Sequence, residues 1–352
     1  MLNETVIQMR PHFRSCAGGG RGLETVVGKK LPTDGEWAES WEIVDCGENQ
    51  SIVGDGHFEE WSLRELMEHY SSELVGWGAT SATKFPLILK YRCCENRVRN
   101  FQSINGKKAL QAPNVPTPLI KQEDLNLPDN ISDSSYPMLE LDISNARAWY
   151  VIDSRAGAKV YVGLKIDSNR DSVRQALAHG ELGSLLQTFE PQRCDCFLIP
   201  AGMVHALGTG LVVVEIQPVN GSTLRLCDSN RLGDDGKASI HSNESAFETI
   251  DIELNLMPMP NPRPKSNGFA QSLVDCDQFK ISEIHASCDL RQDDSYAILT
   301  VVEGNVILDP GADEIRLNLG DTAIMPASNN CIGLEIKSPS KLLVLFPPFP
   351  LP

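Results

Sequence analysis

The chain has 352 residues, 41% of them hydrophobic and 22% charged, and its formal net charge is −16 at pH 7. This is the composition of a folded globular protein, and the length exceeds the size at which one hydrophobic core usually stops growing, so two domains are expected. The negative charge argues against nucleic acid or an anionic membrane as a partner, because long-range attraction to phosphate needs a basic surface.

The sequence has no apolar leader and no run of about 18 apolar residues, so export and membrane insertion are not expected and a cytoplasmic location is predicted. Its ten cysteines do not indicate disulfides, because the chain is far longer than a small disulfide-stapled scaffold. The pairs Cys93-Cys94 and Cys194/Cys196 also lack the paired spacing of a zinc ribbon. We therefore expect reduced, mostly buried thiols.

The first ninety residues contain three short elements with clear patterns. A strand is predicted from Glu39 to Asp45, and an amphipathic helix from Ser62 to Tyr70, with Ser62 as the N-cap and Glu65 at the third helical position. The continuous apolar run from Lys84 to Tyr91 is typical of a buried strand.

The character of the sequence changes between Arg92 and Arg147. This segment is rich in Asn, Ser, Pro and Lys, and it shows little periodicity before Met138 to Ile143, so we predict a long, atypical loop over residues 92–147. Two strand-like runs follow, from Ala148 to Asp153 and from Lys159 to Leu164. The turn residues between them, including Gly157, predict a β-hairpin.

The next hundred residues read as two short helices followed by strands. Apolar spacing predicts the helices between Ser172 and Phe189. Strands are predicted at Cys196–Pro200, Leu211–Gln217 and Thr223–Cys227, with turn signals about every ten residues. That interval is typical of a sandwich or barrel, and it disfavours parallel strands alternating with helices.

A proline-rich stretch from Met257 to Gly268 has the composition of a semi-rigid linker. We predict a first domain over residues 1–256, this linker over 257–268, and a second domain over 269–352. The second domain reads as all-β, with strands predicted at Tyr296–Val302, Asn305–Leu308, Ile315–Leu319, Thr322–Pro326 and Leu342–Phe346. The predicted fold class is mainly β, with two jelly-roll sandwiches of the cupin type and a few short helices.

An internal repeat supports this interpretation. The segment Cys194–His205 aligns without gaps with Gly320–Cys331, which places Asp195 over Asp321 and repeats a Pro-Ala pair at the strand exit. A repeated strand and exit predict two copies of one β-architecture. Only the first copy ends in a histidine, so the first copy is the candidate for a metal or acid–base site.

Three residues of the first copy are candidates for that site. His205 follows a strand and a Pro-Ala-Gly turn, which predicts an imidazole at the mouth of a barrel, although a lone histidine is more often not a ligand. Glu215 interrupts an apolar strand, so it is either an outward-facing carboxylate or a buried and paired one. Arg225 alternates with apolar residues, and it either forms a surface salt bridge or points inward to grip a phosphate or enolate-like oxygen.

Four motifs follow one another along the chain: ESWEIVD from Glu39, KFPLILKY from Lys84, IPAGMVHALG from Ile199 and RLCDSNRLG from Arg225. On these motifs the chain resembles the short bacterial form of the type I mannose-6-phosphate isomerases, in the cupin superfamily. The resemblance implies a zinc-dependent aldose–ketose isomerase that interconverts mannose 6-phosphate and fructose 6-phosphate through a cis-enediol. It implies a small sugar phosphate as the partner and leaves the oligomeric state open.

The resemblance also implies roles for individual residues. Arg225 would be the catalytic arginine, and Glu215 and Lys90 would be polar groups of the active site. His205 would be a zinc ligand, and Gln102 would be a second ligand.

Two stretches depart from the family pattern. Where the family has a Gln-x-His-Pro motif this chain has Ile104 in place of the histidine, and where the family has a Lys-x-Glu pair it has Asn145 and Arg147. Zinc sites use three or four protein ligands, and Arg147 would repel the ion. Two hypotheses follow: an isomerase in which Glu215, Cys93 or Cys94 rebuilds the metal site, or a cupin that binds or senses a sugar phosphate without converting it.

Overall fold

The computed structural model describes residues 2, 6–32, 35–76, 84–95, 137–179, 181–226, 247–257, 268–292, 294–311, 313–337 and 339–347. Within these residues the protein is mainly β with short helices, so the predicted fold class is confirmed. No helix among them has both the length and the apolar character needed to cross a bilayer.

The N-terminal part of the chain forms short strands and two helices before the first long strand. The strands are β1 (Ile7–Arg10), β2 (His12–Gly20), β3 (Trp37–Ile43), β4 (Asp45–Cys46), β5 (Asn49–Gln50), β6 (Ile52–Val53) and β7 (Leu87–Cys94). The helices are α1 (Gly22–Thr25) and α2 (Leu63–Val75), with a 3₁₀ turn at Gly56–Phe58.

The middle of the chain, from residue 137 to residue 257, supplies eight further strands. They are β8 (Leu139–Asp142), β9 (Arg147–Ser154), β10 (Val160–Leu164), β11 (Leu186–Phe189), β12 (Cys196–Ile199), β13 (Val204–Leu207), β14 (Leu211–Pro218) and β15 (Thr223–Leu226). Helices α3 (Arg170–His179) and α4 (Ile252–Asn255) and a 3₁₀ turn at Leu182–Leu185 accompany them. The short helices predicted between Ser172 and Phe189 correspond to α3 and this turn.

The C-terminal part is all-β over its described residues, as predicted. Its strands are β16 (Ala270–Asp275), β17 (Lys280–Ile284), β18 (Cys288–Arg291), β19 (Ala297–Glu303), β20 (Asn305–Asp309), β21 (Ile315–Asn318), β22 (Thr322–Met325), β23 (Cys331–Ile336) and β24 (Lys341–Phe346).

The described residues form four large sheets and a two-stranded sheet of β4 and β5. A six-stranded sheet has the order β12-β9-β14-β7-β3-β2, and a five-stranded sheet has the order β11-β10-β13-β8-β15. A seven-stranded sheet has the order β16-β17-β24-β19-β22-β1-β6, and a four-stranded sheet has the order β18-β23-β20-β21. All pairings between these strands are antiparallel, which is the pattern expected of sandwiches.

Shared cores show which sheets face each other. Trp149, Val151 and Phe197 of the six-stranded sheet pack with Val160 and Val162 of the five-stranded sheet, and these two sheets form the first sandwich. The seven- and four-stranded sheets share a second core that includes Leu299, Val344 and Leu334, and they form the second sandwich. A third core joins the outer faces of the six- and seven-stranded sheets.

The internal repeat has a structural counterpart. Strand β12 pairs with β9 in the first sandwich, and the aligned strand β22 pairs with β19 in the second. The backbone carbonyls of Asp195 and Asp321 accept equivalent bonds, from the amides of Val151 (2.8 Å) and Val301 (3.1 Å). Each aspartate therefore closes the same turn onto the same neighbouring strand.

One local prediction was wrong. The runs that correspond to β9 and β10 do not form a hairpin, because β9 pairs with β12 and β14 whereas β10 pairs with β11 and β13. The turn between them, with Gly157 at φ 81°, carries the chain from one sheet to the other. Both strands bury apolar side chains in the same core from opposite sides, and this packing outweighs local pairing.

The predicted helix after Ser62 is confirmed and is one turn longer than expected. The amide of Glu65 donates to Ser62 Oγ (3.2 Å) and the amide of Ser62 donates to Glu65 Oε2 (2.7 Å), which completes a capping box.

Two predicted irregular segments lie mostly outside the described residues. Residues 258–267 of the predicted linker and 96–136 of the predicted loop are among them. The ends of that loop belong to strands, since Arg92 lies in β7 and the run from Leu139 to Asp142 forms β8. The eight cysteines whose side chains are described are free thiols, as expected, but only Cys93 and Cys196 of these are buried, so the prediction that most are buried was wrong.

The predicted domain boundary divides the sheets imperfectly. Strands β1 and β6 precede residue 256, yet β1 pairs with β22 and β6 pairs with β1 in the seven-stranded sheet. The second sandwich therefore includes residues from the start of the chain.

Candidate functional site

A row of polar side chains crosses the six-stranded sheet on the face that lines the first sandwich. The strand registers place Trp41 opposite Lys90, Lys90 opposite Glu215, and Glu215 opposite Trp149. Directly paired residues of antiparallel strands share one face of the sheet. Lys90 Nζ lies 3.0 Å from Glu215 Oε1, and the Trp149 indole donates to Glu215 Oε2 (2.8 Å).

The same strands place a second row two residues away, on the same face because side chains alternate. Glu39 lies opposite Arg92, and Arg147 lies two residues before Trp149. Lys90 Nζ donates to Glu39 Oε1 (2.9 Å), and Arg92 Nη1 donates to Glu215 Oε2 (3.1 Å).

The facing five-stranded sheet supplies carboxylates and a histidine. Glu140 and Asp142 lie on β8, and the register pairs Glu140 with His205 on β13. Arg147 reaches across from the opposite sheet, with Nη1 2.8 Å from Glu140 Oε2 and with Nε and Nη2 each 2.9 Å from the Asp142 carboxylate. The two sheets thus meet in one set of ion pairs, which we term the charge cluster. Its members are Glu39, Lys90, Arg92, Glu140, Asp142, Arg147, His205 and Glu215.

His205 is held as a neutral imidazole. Its Nδ1 lies 2.9 Å from the carbonyl oxygen of Met203, so Nδ1–H is the donor and Nε2 carries the lone pair. Burial lowers the pKa of His205 below its ordinary value of 6.5, and the charge of Arg147 lowers it further against the opposing carboxylates. Nε2 lies 3.8 Å from both Glu140 Oε2 and Asp142 Oδ2 and has no hydrogen-bond partner among the described residues.

The charge cluster is buried at one end and reaches solvent at the other. The side chains of Glu215 and His205 are fully buried, whereas Arg92 is 23% exposed and Glu39 is 10% exposed. Burial alone would raise the pKa of Glu215, but Arg147, Lys90 and Arg92 lower that pKa well below its ordinary value of 4.5. The edge nearest to solvent consists of Arg92 and its buried neighbours Glu39, Lys90 and Glu140, and we term it the exposed edge. A molecule entering from solvent would meet this edge first.

These pKa shifts predict an acid-labile fold. The pKa values of Glu39, Glu140 and Glu215 are all lowered from 4.5 in the folded protein, so the unfolded chain binds more protons on acidification. The stabilisation is complete above about pH 4.5 and is lost as the pH falls through the folded-state values. Urea unfolding at a series of pH values measures this loss.

The matched comparison is between Glu215→Gln and Glu335→Gln. Glu335 lies on the surface in a pair with Lys337, so its variant should keep the acid dependence of the parent protein. Glu215→Gln should unfold with a shallower dependence below pH 4.5, because its side chain cannot ionise. Identical profiles for both variants would contradict the assignment of acid lability to the cluster.

The structure brings together three of the residues singled out from the sequence: Lys90, Glu215 and His205. The backbone of Arg225 pairs in register with Glu140, and its side chain lies outside the described residues. Gln102 and Ile104 also lie outside the described residues.

Asn145, which occupies the lysine position of the expected Lys-x-Glu pair, forms a hydrogen bond that holds a turn. Its Nδ2 donates to the backbone carbonyl of Asn220 in the turn between β14 and β15. Arg147, at the glutamate position of the same pair, lies inside the charge cluster.

Sequence reasoning missed Glu140 and Asp142. Both lie in Leu139–Asp142, a run of apolar and acidic residues with the period of a strand, and all four of these residues are buried. Their alternation with apolar residues is typical of a strand, but the composition of residues 92–147 led to the prediction of a loop. Arg92 was missed for a similar reason, because β7 continues to Cys94, past the end of the apolar run.

The zinc ion that the resemblance implies does not fit the described residues around His205. The space that a shared metal would need between Glu140, Asp142 and His205 is crossed by the Arg147 guanidinium, which already binds both carboxylates. A cation fixed at this place would repel a second one. Cys93 and Cys94 are not alternatives that the geometry favours, because burial raises the pKa of each thiol and so opposes thiolate formation.

Comparisons with known proteins agree on one group. A family model described as "mannose-6-phosphate isomerase, cupin domain" matches residues 270–346. The mannose-6-phosphate isomerase ManA of Bacillus subtilis is 22% identical over 321 residues, which cover 90% of this chain and 91% of the relative. The mannose-6-phosphate isomerase of Streptococcus mutans is 25% identical over 310 residues, which cover 88% of each chain.

Solved structures show the same fold. The mannose 6-phosphate isomerase of Bacillus subtilis superposes with a TM-score of 0.73 at 20% identity, covering 97% of this chain and 99% of its own. A mannose 6-phosphate isomerase bound with zinc and yttrium superposes with a TM-score of 0.69 at 14% identity, covering 98% of this chain and all of its own.

Proposed function

We propose that this chain belongs to the type I mannose-6-phosphate isomerase family of the cupin superfamily and that it is an aldose–ketose isomerase, which interconverts mannose 6-phosphate and fructose 6-phosphate. The observation that carries the proposal is the charge cluster, whose acidic and basic groups lie in contact inside the first sandwich and which reaches solvent at Arg92. The predicted cytoplasmic location and the small sugar phosphate as partner belong to this proposal.

The reaction needs groups that move protons and a group that stabilises negative charge. A base removes the proton from C2 of the open-chain aldose and returns a proton to C1, and a second proton moves between the oxygens. Glu39 and Glu140 are the carboxylates of the exposed edge, and either one can carry the carbon-bound proton. Lys90 and Arg92 are the cations that can stabilise the enediolate oxygens that form in between.

The remaining members of the cluster hold these groups in place. Glu215 is fully buried, and its carboxylate is contacted by Lys90 and Arg92, so we propose it as a positioning residue. We keep Arg225 as the proposed substrate-contacting arginine on the basis of the family motif, because its backbone is paired beside Glu140. No step of the proposed reaction is assigned to zinc, because Arg147 lies where the ion would have to be bound.

The decisive test is an assay in which mannose 6-phosphate is the only sugar supplied. Phosphoglucose isomerase and glucose-6-phosphate dehydrogenase convert the fructose 6-phosphate into a measurable NADPH signal. We expect a signal that requires this protein and persists in the presence of a chelator. A chain that is stabilised against heat by mannose 6-phosphate but gives no NADPH would instead be a sugar-phosphate-binding cupin.

A further inference from the structure

The Arg147 guanidinium forms ion pairs with three carboxylates, those of Glu140, Asp142 and Glu215. Nη1 lies 2.8 Å from Glu140 Oε2 and 3.3 Å from Glu215 Oε1, while Nε and Nη2 form a two-pronged contact of 2.9 Å each with Asp142. The side chain is only 4% exposed. A buried arginine with this many carboxylate partners is fixed both in position and in charge.

Two carboxylates and a neutral imidazole surround the Arg147 guanidinium. His205 donates Nδ1–H to a backbone carbonyl and directs the Nε2 lone pair toward Glu140 and Asp142. Histidines that bind a metal have the same tautomer and the same hydrogen bond. Nε2 lies 3.8 Å from one oxygen of Glu140 and 3.8 Å from one oxygen of Asp142. Zinc bonds to nitrogen and oxygen are about 2.0 to 2.2 Å long, so atoms at this separation can bind a single ion.

The spacing along the chain agrees with this geometry. Glu140 and Asp142 are two residues apart on β8, and β8 is the strand beside His205.

We propose that Arg147 is an internal cation that replaces the metal ion of this site, so that the native chain does not bind zinc at His205. The guanidinium neutralises Glu140 and Asp142 and joins the two sheets, as a bound ion would. This inference stands independently of the proposed isomerase activity, because its test measures metal content and not turnover.

The test is to remove the arginine and ask whether a metal site opens. Wild-type protein and Arg147→Ala are incubated with zinc chloride, passed through a desalting column, and analysed for zinc by mass spectrometry. We expect about one equivalent of zinc in Arg147→Ala above the wild-type level. The double variant Arg147→Ala/His205→Ala should return to the wild-type level, which separates the site from zinc held by the ten cysteines.

Two further variants serve as controls. Arg147→Lys keeps a cation at the same place and should gain no zinc. Arg92→Ala removes an arginine that contacts Glu140 and Glu215 but leaves Arg147 bound to Glu140 and Asp142, so it should also gain none. Arg147→Gln offers a second route to an uncharged side chain if the alanine variant folds poorly.

Thermal unfolding gives an independent readout. Zinc should raise the melting temperature of Arg147→Ala or Arg147→Gln and leave that of the wild type unchanged. The proposal is overturned if the wild type itself holds about one equivalent of zinc that His205→Ala removes. It is equally overturned if a folded Arg147→Ala or Arg147→Gln variant gains no zinc.

Discussion

Replacing Glu215 with alanine is expected to lower the free energy of unfolding by about 3–5 kcal/mol, because it leaves buried cations without their shared partner. The carboxylate is fully buried and accepts contacts from Lys90, Arg92, Arg147 and the Trp149 indole. Its removal leaves positively charged side chains without this partner in a buried site. Urea unfolding followed by tryptophan fluorescence measures the loss.

The comparison with Glu335→Ala makes this result specific. Glu335 is also a strand glutamate paired with a lysine, but both side chains lie on the surface, and its replacement should change the free energy of unfolding by less than about 1 kcal/mol. Equal losses in the two variants would mean that the charge cluster does not behave as a buried network. The variant Glu215→Gln, which retains an acceptor for the Trp149 indole, should fall between them.

Replacing Lys90 with methionine is expected to lower kcat/KM for mannose 6-phosphate by about 100-fold to 1,000-fold, which is the usual cost of removing one group that stabilises charge in the transition state. Lys90 lies at the exposed edge of the cluster, where it contacts Glu39 and Glu215, and its ammonium lies 5.0 Å from the centre of the Trp41 ring. Because it acts on charge that develops during the reaction, most of the loss should be in kcat. The coupled NADPH assay measures both constants.

The same motif contains a natural control. Lys84 begins the run KFPLILKY and is exposed, so Lys84→Met should retain the parent rate. Circular dichroism and thermal unfolding of Lys90→Met establish that its loss of rate is not a loss of fold. A folded Lys90→Met enzyme with parent kinetics would remove Lys90 from the proposed mechanism.

Elements that are encoded by local patterns were predictable from the sequence. The capping residues Ser62 and Glu65 identify the start of α2, and the apolar run before Tyr91 identifies β7. The gapless alignment of Asp195 with Asp321 also holds, because the same short turn and the same backbone contact recur in both sandwiches.

Strand partners were less predictable, because pairing is decided by contacts far apart in the chain. The hairpin expected around Gly157 is replaced by a crossing between sheets, since both strands fill one core from opposite sides. The proposed ligand Gln102 lies outside the described residues, and the strand beside His205 is β8, which follows residues 96–136 in the chain.

The role of Arg147 could be predicted only in part from the sequence. Its departure from the family pattern was visible without a structure, and it indicated a disturbed metal site. The compensation was not visible, because Glu140 and Asp142 gain meaning only when the two sheets face each other. The sequence therefore indicated the loss of a metal ligand, and the contacts of Arg147 support the proposal that its guanidinium replaces the ion.

The position of β1 has a consequence for how the protein is made. Ile7 pairs with Ile324, so a strand from the start of the chain has its partner more than 300 residues later. At ordinary rates of synthesis that partner follows on the order of tens of seconds afterwards, and until then β1 has an unpaired edge. The seven-stranded sheet can close only after nearly the whole chain has left the ribosome, which makes its completion a late step of biogenesis.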